Sequence, residues 1–255
     1  MGPTTVHAHG ATASVRHGEL HDEVAVEEPL EIRVDGDALA VTMRTPGHDD
    51  ELAAGFLLGE GLVEGPPRIG LTANLAANAV EVAGPLARTP ERRRFYMTSS
   101  CGVCGRGAVA DVAAVAPPAA PGPRVARELL AALPERLVQP GFTRTGGLHA
   151  TGLFSPAGEP LLVREDVGRH NAMDKVLGRR LLDGLLPVAP GLLCVSGRLS
   201  FELVQKAAMA GAPVLVGVGA PTSLAVALAA DRGMTLAGFA RGGRVNVYAD
   251  SGRVV

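Results

Sequence analysis

The sequence contains no tryptophan, and aromatic residues make up only 3% of its 255 residues. Few rings are therefore present to stack against the bases of single-stranded nucleic acid. The formal net charge is −2, so the chain also lacks the positive excess with which proteins bind a nucleic-acid backbone. These two absences argue against a nucleic-acid-binding function.

Cysteine is scarce as well, with three in the chain. Three cysteines cannot form a disulfide framework, and an odd number favours a reducing compartment. The N-terminus lacks the charged and then apolar segments of a signal peptide, and Val6 stands where a myristoylation signal needs Ser or Thr. Because no apolar run is long enough to cross a bilayer, we expect a cytoplasmic protein with no membrane contact.

What is present is a globular composition, with 47% hydrophobic and 20% charged residues. The length is sufficient for a full core and for two subdomains. We predict four segments: a disordered tail at residues 1–18, a β-rich N-terminal subdomain at 19–96, a thiol loop with a proline-rich linker at 97–123, and an α/β domain at 124–255.

Within the N-terminal subdomain, short apolar runs predict strands at 24–26, 30–34 and 38–43, and Asp35-Gly36 predicts a hairpin turn between the last two. A second hairpin is predicted around 69–82 with its turn at Ala77-Asn78, followed by a strand near 93–97. Between the hairpins, apolar residues at helical spacing predict a helix at about 49–58. Residues 45–50 then form a strand-to-helix turn with a capping side chain.

The C-terminal half alternates between strand and helix patterns. We predict strands at 161–164, 192–196, 214–218, 235–239 and 245–248, and helices at 171–182, 201–210 and 223–230. The strands are almost continuously apolar, which is typical of a sheet covered on both faces. This half is therefore expected to have an α/β layer architecture.

Two cysteines, in Cys101-Gly102-Val103-Cys104, lie among small and hydroxyl residues with arginines nearby. Structural zinc would need more ligands than the neighbouring sequence offers, and the zinc deaminase signature His-x-Glu with Pro-Cys-x-x-Cys is absent. A thioredoxin-like dithiol, sulfur carriage on a thiolate and two incidental thiols remain open. Arginines would favour the thiolate, and glycines would give the loop backbone freedom.

A second polar run, residues 164–175, lies where a predicted strand meets a predicted helix. Ligands of α/β sheets collect at the carboxyl ends of strands, so Asp166, Arg169 and His170 are candidates for ligand contact. His170 is the most plausible residue for proton transfer or ligand contact. His149, just before another strand, has equal claims to a structural and a functional role.

Three further strand-to-helix or strand-end junctions contain glycine, at residues 196–200, 217–223 and 239–244, and the first and third also contain arginine. Free N–H groups at helix starts bind anions, and the Arg198 guanidinium adds a fork of donors. Each junction alone is a weak signal. Together they predict one sheet edge that binds a large phosphorylated ligand.

At these residues the chain resembles a known family, the formate dehydrogenase accessory sulfurtransferases called FdhD. The resemblance covers nearly the whole chain after the tail. The motifs that carry it occur in the same order along the chain, at residues 42–49, 54–57, 99–105, 166–175, 196–206 and 220–225.

The resemblance implies a sulfurtransferase that accepts a persulfide from a cysteine desulfurase. It would pass the sulfur to the molybdenum or tungsten bis(pyranopterin guanine dinucleotide) cofactor of formate dehydrogenase, for which a GDP- or GTP-like nucleotide is a mimic. The first cysteine of the family's pair, the persulfide carrier, corresponds to Cys101, and Cys104 assists exchange or release. The family's cofactor-contact segment corresponds to Phe239, Ala240, Arg241, Gly242, Gly243 and Arg244.

The resemblance further implies a three-layer, cytidine-deaminase-like α/β fold with a mixed sheet, a small β-rich N-terminal subdomain and a homodimer without structural zinc. We add two hypotheses, that Ser196, Arg198, Thr222 and Ser223 hold the phosphates and that Asp166, Arg169 and His170 line the transfer site. The alternatives are a non-catalytic molybdenum-cofactor chaperone and a zinc-dependent deaminase.

Overall fold

The computed structural model describes residues 6–17, 20–71, 78–84, 86–87, 95–97 and 116–255. Its strands are β1 Val6–His9, β2 Thr12–His17, β3 Leu20–Ala25, β4 Glu28–Val34, β5 Asp37–Arg44, β6 Arg68–Leu71, β7 Ala79–Ala83, β8 Phe95–Met97, β9 His149–Phe154, β10 Pro160–Asp166, β11 Leu192–Val195, β12 Val214–Gly217, β13 Thr235–Arg241 and β14 Arg244–Ala249. Its helices are α1 Asp49–Gly59, α2 Arg127–Ala132, α3 Pro140–Thr145, α4 Arg169–Leu182, α5 Phe201–Met209 and α6 Ser223–Asp231, with a 3₁₀ turn at Leu133–Arg136.

A six-stranded mixed sheet organises the C-terminal half, in the order β10-β9-β11-β12-β13-β14. Its centre, β11-β12-β13, is parallel, and the outer pairs are antiparallel. Alternate strand residues face two cores. Leu193 and Leu215 pack under α4, α5 and α6, whereas Cys194 and Val216 pack under α2 and the 3₁₀ turn. Helices on both faces confirm the predicted three-layer α/β class.

The N-terminal subdomain contains a five-stranded sheet, β6-β7-β4-β5-β8. Its β4–β5 hairpin turns at Asp35 and Gly36, with φ of 52° and 81°. Positive φ at both turn residues is the type I′ geometry that matches strand twist, so this predicted turn is confirmed. The second predicted hairpin is confirmed as an antiparallel β6–β7 pair; Ala77 in its predicted turn lies outside the described residues.

Helix α1 joins this sheet to the C-terminal half by packing very closely against α4. A methyl group on Gly55 would overlap the carbonyl oxygen of Asp174, and one on Gly178 would overlap the carbonyl oxygen of Glu51. Two glycines thus allow the helix backbones to touch. Core residues of both halves, such as Leu57 on α1, belong to one continuous cluster.

The start of α1 differs from the predicted capped turn. His48 is the N-cap residue, with a left-handed φ of 59° and no hydrogen bond from its side chain to the cap. The Asp49 carboxylate instead accepts two hydrogen bonds of 2.9 Å from the guanidinium of Arg44. Because this carboxylate is occupied by Arg44, the turn is held by an ion pair to β5 rather than by a cap.

The first residues differ most from expectation. Instead of a disordered tail at 1–18, residues Val6–His9 and Thr12–His17 form two strands of a three-stranded sheet with β3. Arg144 on α3 fixes this sheet, since its guanidinium donates to Glu23 at 2.6 and 2.7 Å and to Thr12 at 3.0 Å. Pairing with β3 supplies the order that the polar composition did not indicate.

Strand and helix positions in the C-terminal half are confirmed within a few residues, while α2, the 3₁₀ turn and α3 were not predicted. Within the described ranges, no helix combines the length and apolar character needed to cross a bilayer.

Candidate functional site

The three predicted glycine-containing junctions meet at the carboxyl edge of β11, β12 and β13, where they surround a cleft of about 400 Å³. Ligands of open α/β sheets bind at this edge. The residues that line the cleft are His149, Arg169, Ser196, Gly197, Arg198, Val218, Gly219, Phe239 and Arg241. Five of them were predicted from the sequence as ligand contacts, on three separate segments.

Three guanidinium groups dominate the cleft, those of Arg169, Arg198 and Arg241. None forms a hydrogen bond or an ion pair with the residues that the structure describes, and the Nε atom of Arg169 is buried without a partner. Burial, and then the positive charge of Arg198, lower the pKa of Arg169 below its usual value. Uncompensated cations at one concave site are suited to binding an anion.

Phe239 lies at an irregular point of β13. Between Gly238 and Arg241 the register with β14 shifts, and Phe239 has a left-handed φ of 53°, which is unfavourable for a side chain this large. Its N–H donates to the Gly219 carbonyl at 3.1 Å, and the residue remains 42% exposed at the cleft. Strained, exposed residues of this kind cluster at ligand sites.

The tip of the β13–β14 hairpin determines which of the predicted residues 239–244 reach the cleft. Gly242 and Gly243 both have positive φ, 55° and 72°, and form a two-residue turn between the paired Arg241 and Arg244. Only Phe239 and Arg241 of this segment line the cleft. Ala240 is fully buried in the core, so its side chain does not contact a ligand there.

Three other predicted phosphate contacts are placed differently from one another. Ser196 lines the cleft, but its Oγ already accepts a hydrogen bond of 2.9 Å from the N–H of Ala150. Thr222 caps α6 by accepting from the N–H of Ala225 at 3.3 Å. Thr222 and the exposed Ser223 do not line the cleft.

Asp166 is not exposed at the transfer site as predicted, because it is completely buried. Its Oδ2 lies 2.8 Å from Lys175 Nζ and accepts from the N–H of Thr45 at 3.1 Å. Its Oδ1 accepts from the N–H of Gly168 at 2.8 Å and from Asn171 at 3.1 Å. With every lone-pair direction engaged, Asp166 fixes the 45–48 turn against the start of α4.

His170, also predicted at the transfer site, lies behind the cleft wall rather than in it. Its Nε2 is 3.2 Å from Ser200 Oγ and 3.9 Å from Glu202 Oε2. Burial, and then the charges of Arg169 and Lys206, lower its pKa to about 4. The imidazole is therefore neutral at physiological pH and holds the start of α5 beside the start of α4.

His149, the first residue of β9, is the side chain in the cleft that sequence reasoning left undecided. It is half-buried, and burial followed by the charge of Arg169 lowers its pKa. Its place follows from the pairing of β9 with β10, which sets His149 opposite Asp166 at the ligand edge of the sheet and which the local sequence does not reveal.

Cys101 and Cys104, the predicted sulfur-transfer residues, lie outside the described residues. The strand that leads to them, β8, pairs with β5, where Met97 is opposite Thr42. The Thr42 hydroxyl lies 3.3 Å from the Asn171 amide oxygen in the first turn of α4. The chain therefore runs toward Cys101 from a point beside the helix that bears Arg169.

Neither Cys194 nor a metal-binding cluster adds a reactive group within the described residues. Cys194 is buried in β11, and its burial raises the pKa of the thiol, as expected for an inert core cysteine. No group of three or more His, Cys, Asp or Glu side chains is arranged to hold a metal ion in the described part of the chain.

Known proteins place the chain in a family. The sequence profile of the FdhD/NarQ family matches residues 25–255. The chain is 51% identical over 251 residues to the sulfur carrier protein FdhD of Streptomyces coelicolor, covering 91% of this chain and 89% of that one. It is 48% identical over 254 residues to the sulfur carrier protein FdhD of Mycobacterium tuberculosis, covering 91% and 92%.

The fold has a counterpart among solved structures as well. A crystal structure of a proposed formate dehydrogenase accessory protein from Desulfotalea psychrophila superimposes with a TM-score of 0.76 at 24% identity, covering 99% of this chain and 98% of that chain. The family match spans both halves of the molecule and every strand of the cleft. The chain belongs to the FdhD/NarQ family.

Proposed function

We propose that this protein is a sulfur carrier, which takes sulfur from a cysteine desulfurase and delivers it to the molybdenum or tungsten bis(pyranopterin guanine dinucleotide) cofactor of formate dehydrogenase. The observation that carries the proposal is the cleft of three arginines, which have no partner among the described residues, beside an exposed, strained Phe239. The names of relatives that are about half identical to this chain support the sulfur-carrier role.

The cleft matches the chemistry of the nucleotide portions of such a cofactor. Arg169, Arg198 and Arg241 would hold phosphate oxygens, since guanidinium forks bind phosphates with two parallel hydrogen bonds. The exposed Phe239 ring offers a face on which a base can stack. The cofactor is the substrate here, and the protein's part is to bind and orient it.

Sulfur would be carried by Cys101. Its thiolate attacks the terminal sulfur of the desulfurase persulfide, a new S–S bond forms, the old S–S bond breaks, and the desulfurase cysteine leaves as a thiolate. The persulfide on Cys101 then presents its outer sulfur to the docked cofactor, with Cys104 assisting exchange or release. The arginines at 92–94 and 106 would favour the thiolate over the thiol.

The described part of the chain supports a short distance between carrier and cofactor. Met97 is paired with Thr42, whose hydroxyl lies beside Asn171, two residues from Arg169 on the same helix. Cys101 follows Met97 by four residues, which span at most about 14 Å when fully extended. The start of α4 is thus common to the cleft and to the entry of the thiol segment.

We further propose that the protein is located in the cytoplasm and forms a homodimer. It would form transient complexes with the desulfurase and with formate dehydrogenase. The assembly is testable by light scattering of the purified protein. A non-catalytic chaperone of the cofactor is the second candidate, because the cleft alone would serve for binding without sulfur transfer.

The deciding experiment is mass spectrometry of the protein after incubation with a cysteine desulfurase and cysteine. We expect one added sulfur atom on a peptide containing Cys101, no added mass in Cys101→Ala, and retained labelling in the matched control Cys194→Ala, which removes the buried thiol. Labelling that persists in Cys101→Ala would overturn the assignment. A wild-type protein that binds GDP but never gains sulfur would be a chaperone.

A further inference from the structure

The cleft is rich in hydrogen-bond donors and poor in acceptors. Its three arginines can only donate. Ser196 Oγ already accepts from the Ala150 N–H at 2.9 Å, and its hydrogen is left to donate. The carbonyl of Gly197 accepts from the Gly219 N–H at 3.0 Å, and the carbonyl of Gly219 accepts from the Phe239 N–H at 3.1 Å. A ligand group that donates finds few acceptors here.

His149 is the exception among the lining side chains. Its imidazole has no hydrogen bond or ion pair with any residue in the described ranges. A Cβ atom built on Gly197 would lie 3.5 Å from Nδ1 of His149 and 3.7 Å from Cδ of Arg169, so the missing side chain of Gly197 leaves space between them. The imidazole therefore faces open cleft volume next to a bound anion's expected position.

The charge state of His149 follows from its surroundings. Burial of the ring, and then the charge of Arg169 on α4, lower its pKa, and the charge of Asp166 at the end of β10, which is paired with Lys175, acts in the opposite direction. These surroundings favour the neutral ring, and in either tautomer a neutral imidazole keeps one nitrogen that accepts a hydrogen bond.

We propose that His149 is a specificity-determining residue of the cleft, whose imidazole accepts a hydrogen bond from an O–H or N–H group of a ligand held by Arg169, Arg198 and Arg241. The inference rests on the proposed function and deepens it. A bare phosphate diester has no such hydrogen, whereas a nucleoside diphosphate offers ribose hydroxyls and the N–H groups of its base. His149 thus selects ligands that carry a donor close to their phosphates.

The test is GDP binding measured by isothermal titration at pH 7.5. His149→Phe keeps a ring of similar size but removes the acceptor, and we expect affinity to fall about five- to tenfold, as for a lost hydrogen bond to a buried partner. His149→Gln restores an acceptor oxygen and should stay within about twofold of wild type. His21→Gln, on the exposed β3 strand, is the control for histidine replacement outside the cleft.

Two analogues identify the donor. If a ribose hydroxyl is the donor, wild type and His149→Phe should bind 2′,3′-dideoxy-GDP, which lacks the ribose hydroxyls, with equal affinity. If the base is the donor, the two proteins should instead bind N1-methylinosine diphosphate, which lacks the N–H groups of the base edge, with equal affinity. The proposal is overturned if neither analogue removes the difference, if His149→Phe binds GDP like wild type, or if His149→Gln is as weak as His149→Phe. If wild type binds no GDP, the proposed function itself falls, which is a distinct result.

Discussion

The protein interior beside α4 and the cleft at the start of α4 use positive charge in opposite ways. Both lysines of the chain, Lys175 on α4 and Lys206 on α5, are buried and paired at 2.8 Å with Asp166 and Asp174. Arg169, at the first position of α4, has no partner among the described residues and faces the cleft. Helix α4 therefore carries two kinds of cation. Lys175 is paired in the interior and stabilises the fold, whereas Arg169 at the cleft is available to bind a ligand.

The difference has a physical cause. A buried ion must be paired, since an isolated charge in the interior is far more costly than a solvated one. An arginine at an open cleft keeps contact with water, so the cost of leaving it unpaired is small until a ligand displaces that water. Cations without a partner in the described ranges therefore indicate binding only where they converge in a concave site, as Arg169, Arg198 and Arg241 do.

The largest expected effect is the loss of a buried partner. Lys175→Met would leave the Asp166 carboxylate, which is 0% exposed, without its cation, and we expect the free energy of unfolding to fall by about 3–5 kcal/mol in urea titrations. The double variant Asp166→Asn with Lys175→Met should cost less than Lys175→Met alone, because no charge remains unpaired. If Lys175→Met lowers the free energy of unfolding by less than about 1 kcal/mol, the buried Asp166–Lys175 pair does not have the stabilising role described here.

A smaller effect is expected on the free energy of unfolding at low pH. Burial raises the pKa of Glu51, but hydrogen bonds from Arg164, at 2.6 and 2.8 Å, and from His48 outweigh it and lower the pKa to about 2. Since the folded pKa is lower than the unfolded one, this stabilisation is complete above pH of about 4.5 and is lost as pH falls toward 2. Glu51→Gln should therefore lose less stability than wild type between pH 5 and 3.

The exposed Glu64→Gln is the control for that pH series, and its unfolding curve should follow wild type throughout. If Glu51→Gln and wild type lose stability in parallel below pH 5, the Glu51–Arg164 ion pair does not contribute to the pH dependence of stability, and this prediction is wrong.

The smallest effect on stability is expected at the cleft. Arg198→Ala removes a cation with no partner in the described structure and relieves its repulsion with Arg169, so the free energy of unfolding should change by no more than about 0.5 kcal/mol. GDP affinity should nevertheless fall about tenfold or more, as for a lost charge-assisted hydrogen bond. If Arg198→Ala is strongly destabilised but binds GDP with normal affinity, Arg198 stabilises the fold rather than binding the ligand.

Sequence patterns predicted the fold well where hydrophobic periodicity and turn chemistry act locally. The Asp35-Gly36 hairpin, α1 and the strands of the C-terminal sheet are examples. Patterns failed where order comes from distant partners. The strands at Val6–His9 and Thr12–His17 depend on β3 and on Arg144 from a helix more than a hundred residues away, which a polar local sequence does not reveal.

The candidate site was predicted to a similar degree. The strand-end rule brought Arg169, Arg198 and Arg241 to one edge, where the structure has them. Sequence position does not tell which face of a strand or turn a side chain occupies, so Ala240 and Asp166, both predicted as contacts, are instead interior residues. The roles predicted for Cys101 and Cys104 stay predictions.

The backbone contact of α1 with α4 at Gly55 and Gly178 has a practical consequence for dissecting this protein. A fragment beginning at the proline-rich linker would leave the glycine-lined groove of α4 without its occupant. The isolated N-terminal half would expose Leu52 and Leu57, which are at most 1% exposed in the full chain. We therefore expect separately expressed halves to aggregate, and co-expression of both to recover soluble material by fragment complementation.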